Sequence, residues 1–239
     1  MMNITEPTRA KSSLRRLRLF VVHELTYAAR ILYYHVRYPG DSVFSVIYRA
    51  RAWGDGHSAS GGGSEMAETQ TIRELLPALV KELGVRSLLD APCGDFHWMS
   101  QIDLNLEVYY GVDIVEPIIS INRRNHQADN VRFSCLDITR DPLPKVDLIL
   151  CRDCMVHMSN ADIMLTLENF KRSGAQYLLA TTYPGTVSRN RTIVSGMWRY
   201  LDLQRPPFNF PPPLRLVDEH TKEAYQSKCL GLWRLQDIS

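Results

Sequence analysis

Two spacings of apolar residues organise the chain. Between residues 65 and 182, short continuous apolar runs alternate with segments in which apolar residues recur every three or four positions. The runs, at about 86–91, 107–113, 131–136, 146–151 and 176–182, have the length of buried strands. The segments at about 65–83, 96–102, 115–126 and 160–172 have helical spacing. Gly84 and Gly174 stop the first and last of these helices, and Ser159 or Asn160 caps the last. The connection 137–145 carries Pro142 and Pro144 and is too short for a full helix. Such alternation predicts an α/β fold with a doubly wound, mostly parallel sheet. Two late runs, Leu214–Val217 and Lys228–Leu235, predict a closing hairpin and hence an antiparallel C-terminal edge.

The flanks follow other patterns. Residues 1–64 read as an N-terminal helical extension followed by a Gly/Ser loop. Within it, apolar residues from Ser12 to Tyr38 recur at helical spacing and the charged ones are mostly basic. This helix can lie on an anionic membrane surface or a partner, or it can pack on the body with its basic face solvated. Ser58–Ser64 (SASGGGS) reads as a flexible spacer, or as a hinged loop that closes over a cofactor. The main domain is expected to span 65–239. Within it, 185–213 is expected to form a substrate lid. The lid's second half, Trp198–Pro213, is too rich in proline for a regular helix.

Composition narrows the partners. A hydrophobic share of 45% and a charged share of 23% are ordinary for a soluble globular protein. A net charge of +2 argues against binding of nucleic acid by the whole chain. The cysteine count is odd, at five, and three of them lie in apolar runs. Reduced thiols and a cytoplasmic location are the expectation. No cleavable leader and no membrane-spanning run are apparent.

The chemistry lies at the ends of the strand runs. Three of them deliver an acid to one edge of the sheet: Asp90, Asp113 and Asp137. Ligands of open α/β sheets sit at that edge. After Asp90 comes a tight turn, Ala91-Pro-Cys-Gly-Asp95, in which Gly94 lets the backbone approach a ligand closely. Asp113 is placed to accept the two hydroxyls of a ribose, and Asp137 to accept an adenine amino group. Asp90 can balance an ammonium or sulfonium charge, with Asp95 close by in the turn. A dinucleotide fits poorly. Pyrophosphate needs several glycines in the turn, whereas Pro92 has no N–H and Phe96 is bulky. Asp90 and Asp95 would also repel phosphate. A cationic nucleoside without phosphates suits the turn better.

The strings DAPCGD, YGVDI and FSCLDIT resemble motifs I, II and III of the class I S-adenosylmethionine (SAM)-dependent methyltransferases. The resemblance covers about 65–184 and implies a Rossmann-like sheet, SAM as cofactor, and Asp90, Gly94, Asp95, Asp113 and Asp137 as its binding residues. Pro92 and Phe96 stand where that family has glycines. Further strings, among them LDAPCGDFHWM, RDCMVHM and MWRYLDLQRPPFNFPPP, resemble small bacterial methyltransferases found with surface-carbohydrate and nodulation genes. That likeness implies O-methylation of a carbohydrate hydroxyl, such as the 2-hydroxyl of fucose on a lipo-chitooligosaccharide. The alternatives are a small-molecule or lipid acceptor, and a non-catalytic scaffold that docks a partner through the basic helix.

The acceptor side is expected after the fourth strand, in Cys151-Arg-Asp-Cys-Met-Val-His157. An alcohol is a poor nucleophile until its proton leaves, so a base is needed. His157 has a suitable ordinary pKa, and Asp153 can orient it or act as the base itself. The other reading of His157 is structural. Cys151 and Cys154 lack further well-spaced ligands, so packing rather than a metal is expected of them. Arg189, Arg191, Trp198 and Arg199 supply lid groups suited to a sugar or an anionic head group.

Overall fold

The computed structural model describes residues 29, 32–33, 36–37, 40–53, 56–219 and 227–239. The chain divides into two compact units, Met1–Ala52 and Trp53–Ser239.

In the first unit, helix α1 (Val43–Arg49) starts where the Ser42 hydroxyl accepts from the Ser45 N–H at 3.1 Å. Most of the helix expected at 12–38 lies outside the described residues; residues 29, 32, 33, 36 and 37 are helical. Among the described residues, no helix is long and apolar enough to cross a membrane.

The second unit is built on one seven-stranded sheet, ordered β3-β2-β1-β4-β5-β7-β6. The strands are β1 (Ser87–Asp90), β2 (Val108–Asp113), β3 (Val131–Cys135), β4 (Leu148–Cys151), β5 (Tyr177–Thr182), β6 (Arg215–Asp218) and β7 (Cys229–Arg234). The first five pair in parallel; β7 runs antiparallel to both β5 and β6. The closing hairpin therefore forms as its apolar runs predict. Leu88, Leu89, Leu148, Ile149, Leu150, Leu178 and Leu179 are fully buried. Central parallel strands are covered on both faces, which is why they read as continuous apolar runs rather than alternating ones.

Three helices join the sheet: α2 (Gln70–Glu82), α3 (Glu116–His126) and α4 (Asn160–Ser173). Helix α4 has both predicted ends. The Ser159 hydroxyl accepts from the Asp162 N–H at 3.1 Å, and Gly174 takes the left-handed conformation at φ 73°. Helix α2 begins five residues later than expected. Glu65, its predicted first residue, instead accepts from the Ser58 N–H at 3.1 Å and serves the Gly/Ser loop.

The helix expected at 96–102 does not form. Phe96 has φ 58°, a left-handed value that no helix interior permits, and only a short 3-10 turn, Met99–Gln101, follows. The cause is packing. The Phe96 ring sits 5.1 Å from the rings of both Tyr109 and Phe133, and this contact decides the backbone around it.

Candidate active site

Asp90 and Asp113 end neighbouring parallel strands, and both are buried at the carboxyl edge of the sheet. Burial pushes the Asp90 carboxyl up to about 7, although the Tyr109 hydroxyl donates to its Oδ2 at 2.6 Å and works against the shift. Asp113 is likewise raised by burial, to about 6, while the N–H groups of Val115 (2.9 Å) and Gly94 (3.2 Å) favour its charged form. Among the described residues, neither carboxylate has an ion-pair partner. Two buried acids without a cation suit a ligand that brings an ammonium and hydroxyl donors.

Asp137 follows β3, two residues beyond its end, and is half-buried. Its Oδ1 accepts from the backbone and hydroxyl of Thr139, and its Oδ2 faces Arg140 at 3.2 Å. Local turn contacts therefore hold the carboxylate that the sequence pattern assigns to an adenine amino group.

The turn after β1 carries the Gly/Ser loop on its back. Asp95 accepts from the Ala59 N–H at 2.7 Å and from the hydroxyls of Ser58 and Ser60 at 3.1 and 3.3 Å. Ser60 in turn accepts from the Asp95 N–H at 3.0 Å. A Cβ added to Gly94 would meet the Ser60 hydroxyl oxygen at 2.1 Å, so only glycine permits this approach. At the loop's far end, the Gly63 carbonyl accepts from Arg152 at 2.8 Å. Residues 58–63 thus form a strap between the first turn and the end of β4, not a free spacer. Asp95 serves this strap, a role its position in the motif does not announce.

After β4 the chain enters a buried charge network. Arg152 donates from Nε to Glu219 at 2.7 Å, and its Nη1 lies 3.2 Å from Asp153. Lys228 lies 2.5 Å from Asp153 and 3.3 Å from Glu219. Burial works to raise the Asp153 pKa, but Arg152 and Lys228 outweigh it and hold the carboxyl below its usual range. A carboxylate held so firmly is a weak base. Glu219 and Lys228 were not legible as site residues, because the β6–β7 hairpin brings them to the residues after β4 from about seventy positions away.

His157 ends a short 3-10 turn, Met155–His157. Its Nδ1 donates to the Met197 carbonyl at 3.1 Å, and its ring lies 4.9 Å from that of Trp53. The expected hydrogen bond from His157 to Asp153 is absent; the orienting acceptor is the Met197 carbonyl, and Asp153 accepts from Lys228. Burial lowers the His157 pKa, opposed by the charge of Asp153, and keeps the ring neutral at pH 7.

The segment expected as a lid makes hydrogen bonds within itself and to β7. The Asn190 side-chain amide donates to the carbonyls of Asp202 and Arg205 at 2.8 and 3.0 Å, and Trp233 donates to the Pro211 carbonyl at 2.8 Å. Arg199, expected to face a substrate, is buried and donates to the Met158 carbonyl at 2.7 Å. Arg189 and Arg191 are exposed. Trp198 and Tyr200 are both partly exposed. They pack edge to face on one another and on the buried Tyr183 at the end of β5. All five cysteines are free, and among the described residues no group of side chains could hold a metal ion.

Residues 88–175, less than half of the chain, match the family model described as a methyltransferase domain. No curated protein sequence matches. Among solved structures, N-methyltransferase NodS from Bradyrhizobium japonicum WM9, in complex with S-adenosylhomocysteine, superposes with a TM-score of 0.55 at 12% identity, over 72% of this chain and 89% of that one. The 1,6-didemethyltoxoflavin-N1-methyltransferase of Burkholderia thailandensis gives 0.53 at 15%, over 72% and 81%. Magnesium protoporphyrin IX methyltransferase from Synechocystis PCC 6803 gives 0.51 at 12%, over 78% and 92%. At such identities the likeness is one of fold. The chain spans 66% of the bacterial CtHen1-C methyltransferase domain, at a TM-score of 0.43 and 13% identity. Residues 88–175 are thus similar to a methyltransferase domain, and the sheet has the fold of S-adenosylmethionine-dependent methyltransferases; that cofactor fits its buried acids.

Proposed function

We propose that the protein is a SAM-dependent O-methyltransferase whose acceptor is a carbohydrate hydroxyl, on a surface polysaccharide or a lipo-chitooligosaccharide, with the 2-hydroxyl of fucose as the leading case. The observation that carries the proposal is the state of His157. Its Nδ1 is committed to the Met197 carbonyl, its ring is neutral, and its Nε2 has no partner among the described residues. That is the tautomer of a general base.

Bound SAM supplies a methyl group that its sulfonium makes electrophilic. Asp113 would hold the ribose hydroxyls and Asp90 the ammonium, at the edge where both acids lie buried. His157 would take the acceptor's hydroxyl proton at Nε2 as oxygen attacks in line, and Met197 would steady the resulting imidazolium through Nδ1. Holding two substrates in line removes a large entropic cost, so positioning supplies much of the acceleration.

The aromatic faces of Trp198 and Tyr200 support a sugar acceptor. They belong to the segment that the His157 loop holds: Gly196 donates to the His157 carbonyl at 2.7 Å, and Arg199 to the Val156 carbonyl at 3.1 Å. Pyranose rings present apolar C–H faces that pack on such side chains. Free thiols suit a reducing, cytoplasmic setting. The test is mass spectrometry of fucosides and chito-oligosaccharides incubated with the enzyme and SAM. A mass gain of one methylene unit supports the reading, and no gain on any sugar, with transfer to a lipid or small molecule, replaces it.

A further inference from the structure

His157 faces an aromatic ring that comes from far upstream in the chain. Trp53, half-buried, places its ring centre 4.9 Å from that of His157, and the two ring planes meet at 36°. This is nearer to a stacked pair than to an edge-on one, so the imidazole lies toward the indole face. An aromatic face carries the negative end of the ring quadrupole, and among side chains indole presents the strongest such face. A cation within about 6 Å of the ring centre is attracted to it.

The strap packs on Trp53. A Cβ added to Gly61 would meet the Trp53 Cβ at 3.2 Å, so glycine lets the strap close onto the tryptophan. The strap is fastened in turn to Asp95 through Ser58, Ala59 and Ser60. Trp53 therefore touches both the base and a segment anchored on the turn after β1. Charges reach the imidazole from three other elements. Burial disfavours its protonation most; Asp153 favours the imidazolium, and Lys228 and Arg199 oppose it. Asp153 is already engaged by Arg152 and Lys228, and among the described residues no carboxylate forms an ion pair with the ring. A base in this setting needs another source of stabilisation for the charge it gains.

We propose that Trp53 is a positioning residue for methyl transfer: its indole face holds the imidazole of His157 and stabilises the imidazolium that forms as the acceptor gives up its proton. The inference rests on the reading of His157 as the base. In that step the acceptor O–H bond breaks and its proton bonds to Nε2. The oxygen bonds to the methyl carbon, and the electrons of the carbon–sulfur bond return to sulfur, leaving a neutral thioether. The positive charge that began on the sulfonium thus ends on the imidazole, against the indole. Met197 fixes the ring through Nδ1, and Trp53 acts on its face, so the two contacts serve different needs.

NMR titration of the His157 ring in the full chain tests this; its resonance is the one missing from His157→Ala. Trp53→Leu keeps the site apolar but removes the aromatic face. It should lower the titration midpoint by roughly 0.4–1.5 pH units, the range of a cation–π contact. Trp53→Phe should lose less, because a phenyl face remains. With a fucoside as acceptor, kcat should fall by roughly 2- to 30-fold in Trp53→Leu while SAM affinity stays near wild type. A midpoint unchanged in both variants would overturn the proposal. So would equal losses in both, since the aromatic face would then contribute nothing. Should the leucine variant not fold, Trp53→Phe against wild type carries the test, and its midpoint must still fall. Undiminished turnover in His157→Ala would sink the base assignment itself, whatever the midpoints show.

Discussion

The imidazole of His157 donates from Nδ1 to the main-chain carbonyl of Met197 at 3.1 Å, across forty residues of chain. One hydrogen bond thus sets the tautomer, points Nε2 away from the segment that carries Trp198, and ties the loop after β4 to the chain that crosses it. A backbone carbonyl cannot ionise, so it holds the ring without adding a charge.

Replacing this base is the first prediction. His157→Ala should lower turnover by roughly 10²–10⁴-fold and leave SAM affinity near wild type. Stopped turnover assays and calorimetry on the same preparation check both halves. Because burial lowers its pKa, His157 stays neutral until the pH falls below the ordinary histidine value. With SAM saturating, so that its binding by Asp90 and Asp113 does not limit the rate, turnover should be flat around pH 7 and fall on the acid side, and that limb should vanish in the variant.

Asp113→Ala should weaken SAM binding by roughly 10- to 150-fold, since the ribose would lose a charged acceptor. Asp113→Asn should lose less, because one oxygen remains. An alanine variant with wild-type affinity would remove Asp113 from the site.

The raised carboxyls give a stability prediction with a definite sign. Asp90 and Asp113 hold their protons to about pH 7 and about pH 6 in the folded state, against an ordinary value near 4 when unfolded. Between those limits the folded chain binds more protons than the unfolded one, so stability falls as pH rises. The ligand-free protein should melt lower at pH 8 than at pH 5.5 on account of these two groups. Asp90→Asn should flatten that dependence. S-adenosylhomocysteine should raise the melting temperature more at pH 8, where both acids are charged.

Gly94→Ala should displace the strap. Its Cβ would meet the Ser60 oxygen at 2.1 Å, and its φ of 53° is unfavourable for any side chain. Limited proteolysis should then cut within residues 58–63 faster than in wild type. Asp95→Ala should do the same by removing three acceptor contacts, without strain at residue 94. Unchanged cleavage in both would show that the strap is held by other contacts.

Lys228→Met should destabilise the domain by about 3 kcal/mol, because it leaves the buried Glu219 and the half-buried Asp153 to share one cation. The double change Lys228→Met and Asp153→Asn, which leaves the Arg152–Glu219 pair balanced, should recover part of that loss. Denaturant melts of the two proteins measure the difference.

The sequence by itself determined the order of elements and the edge on which the chemistry lies. Apolar runs of strand length, Ser159 and Gly174 at the ends of α4, and an acid after each of three strands are local signals. They stand because strand burial, helix capping and the chirality of parallel connections act over a few residues or follow a general rule. Three things were decided only by the tertiary structure. The ring of Phe96 packs on Tyr109 and Phe133, and this overrides the helical spacing at 96–102. The Gly/Ser segment has the composition of a spacer, but Asp95 and Arg152 reach it from other elements and make it a strap. The partners of His157 and Asp153, Met197 and Lys228, come from 40 and 75 positions away. Nothing in a single sequence sets such distances. Asp153 looked like the natural partner of a histidine four residues on, yet Lys228 claims it, because a buried carboxylate takes the nearest cation before a neutral ring.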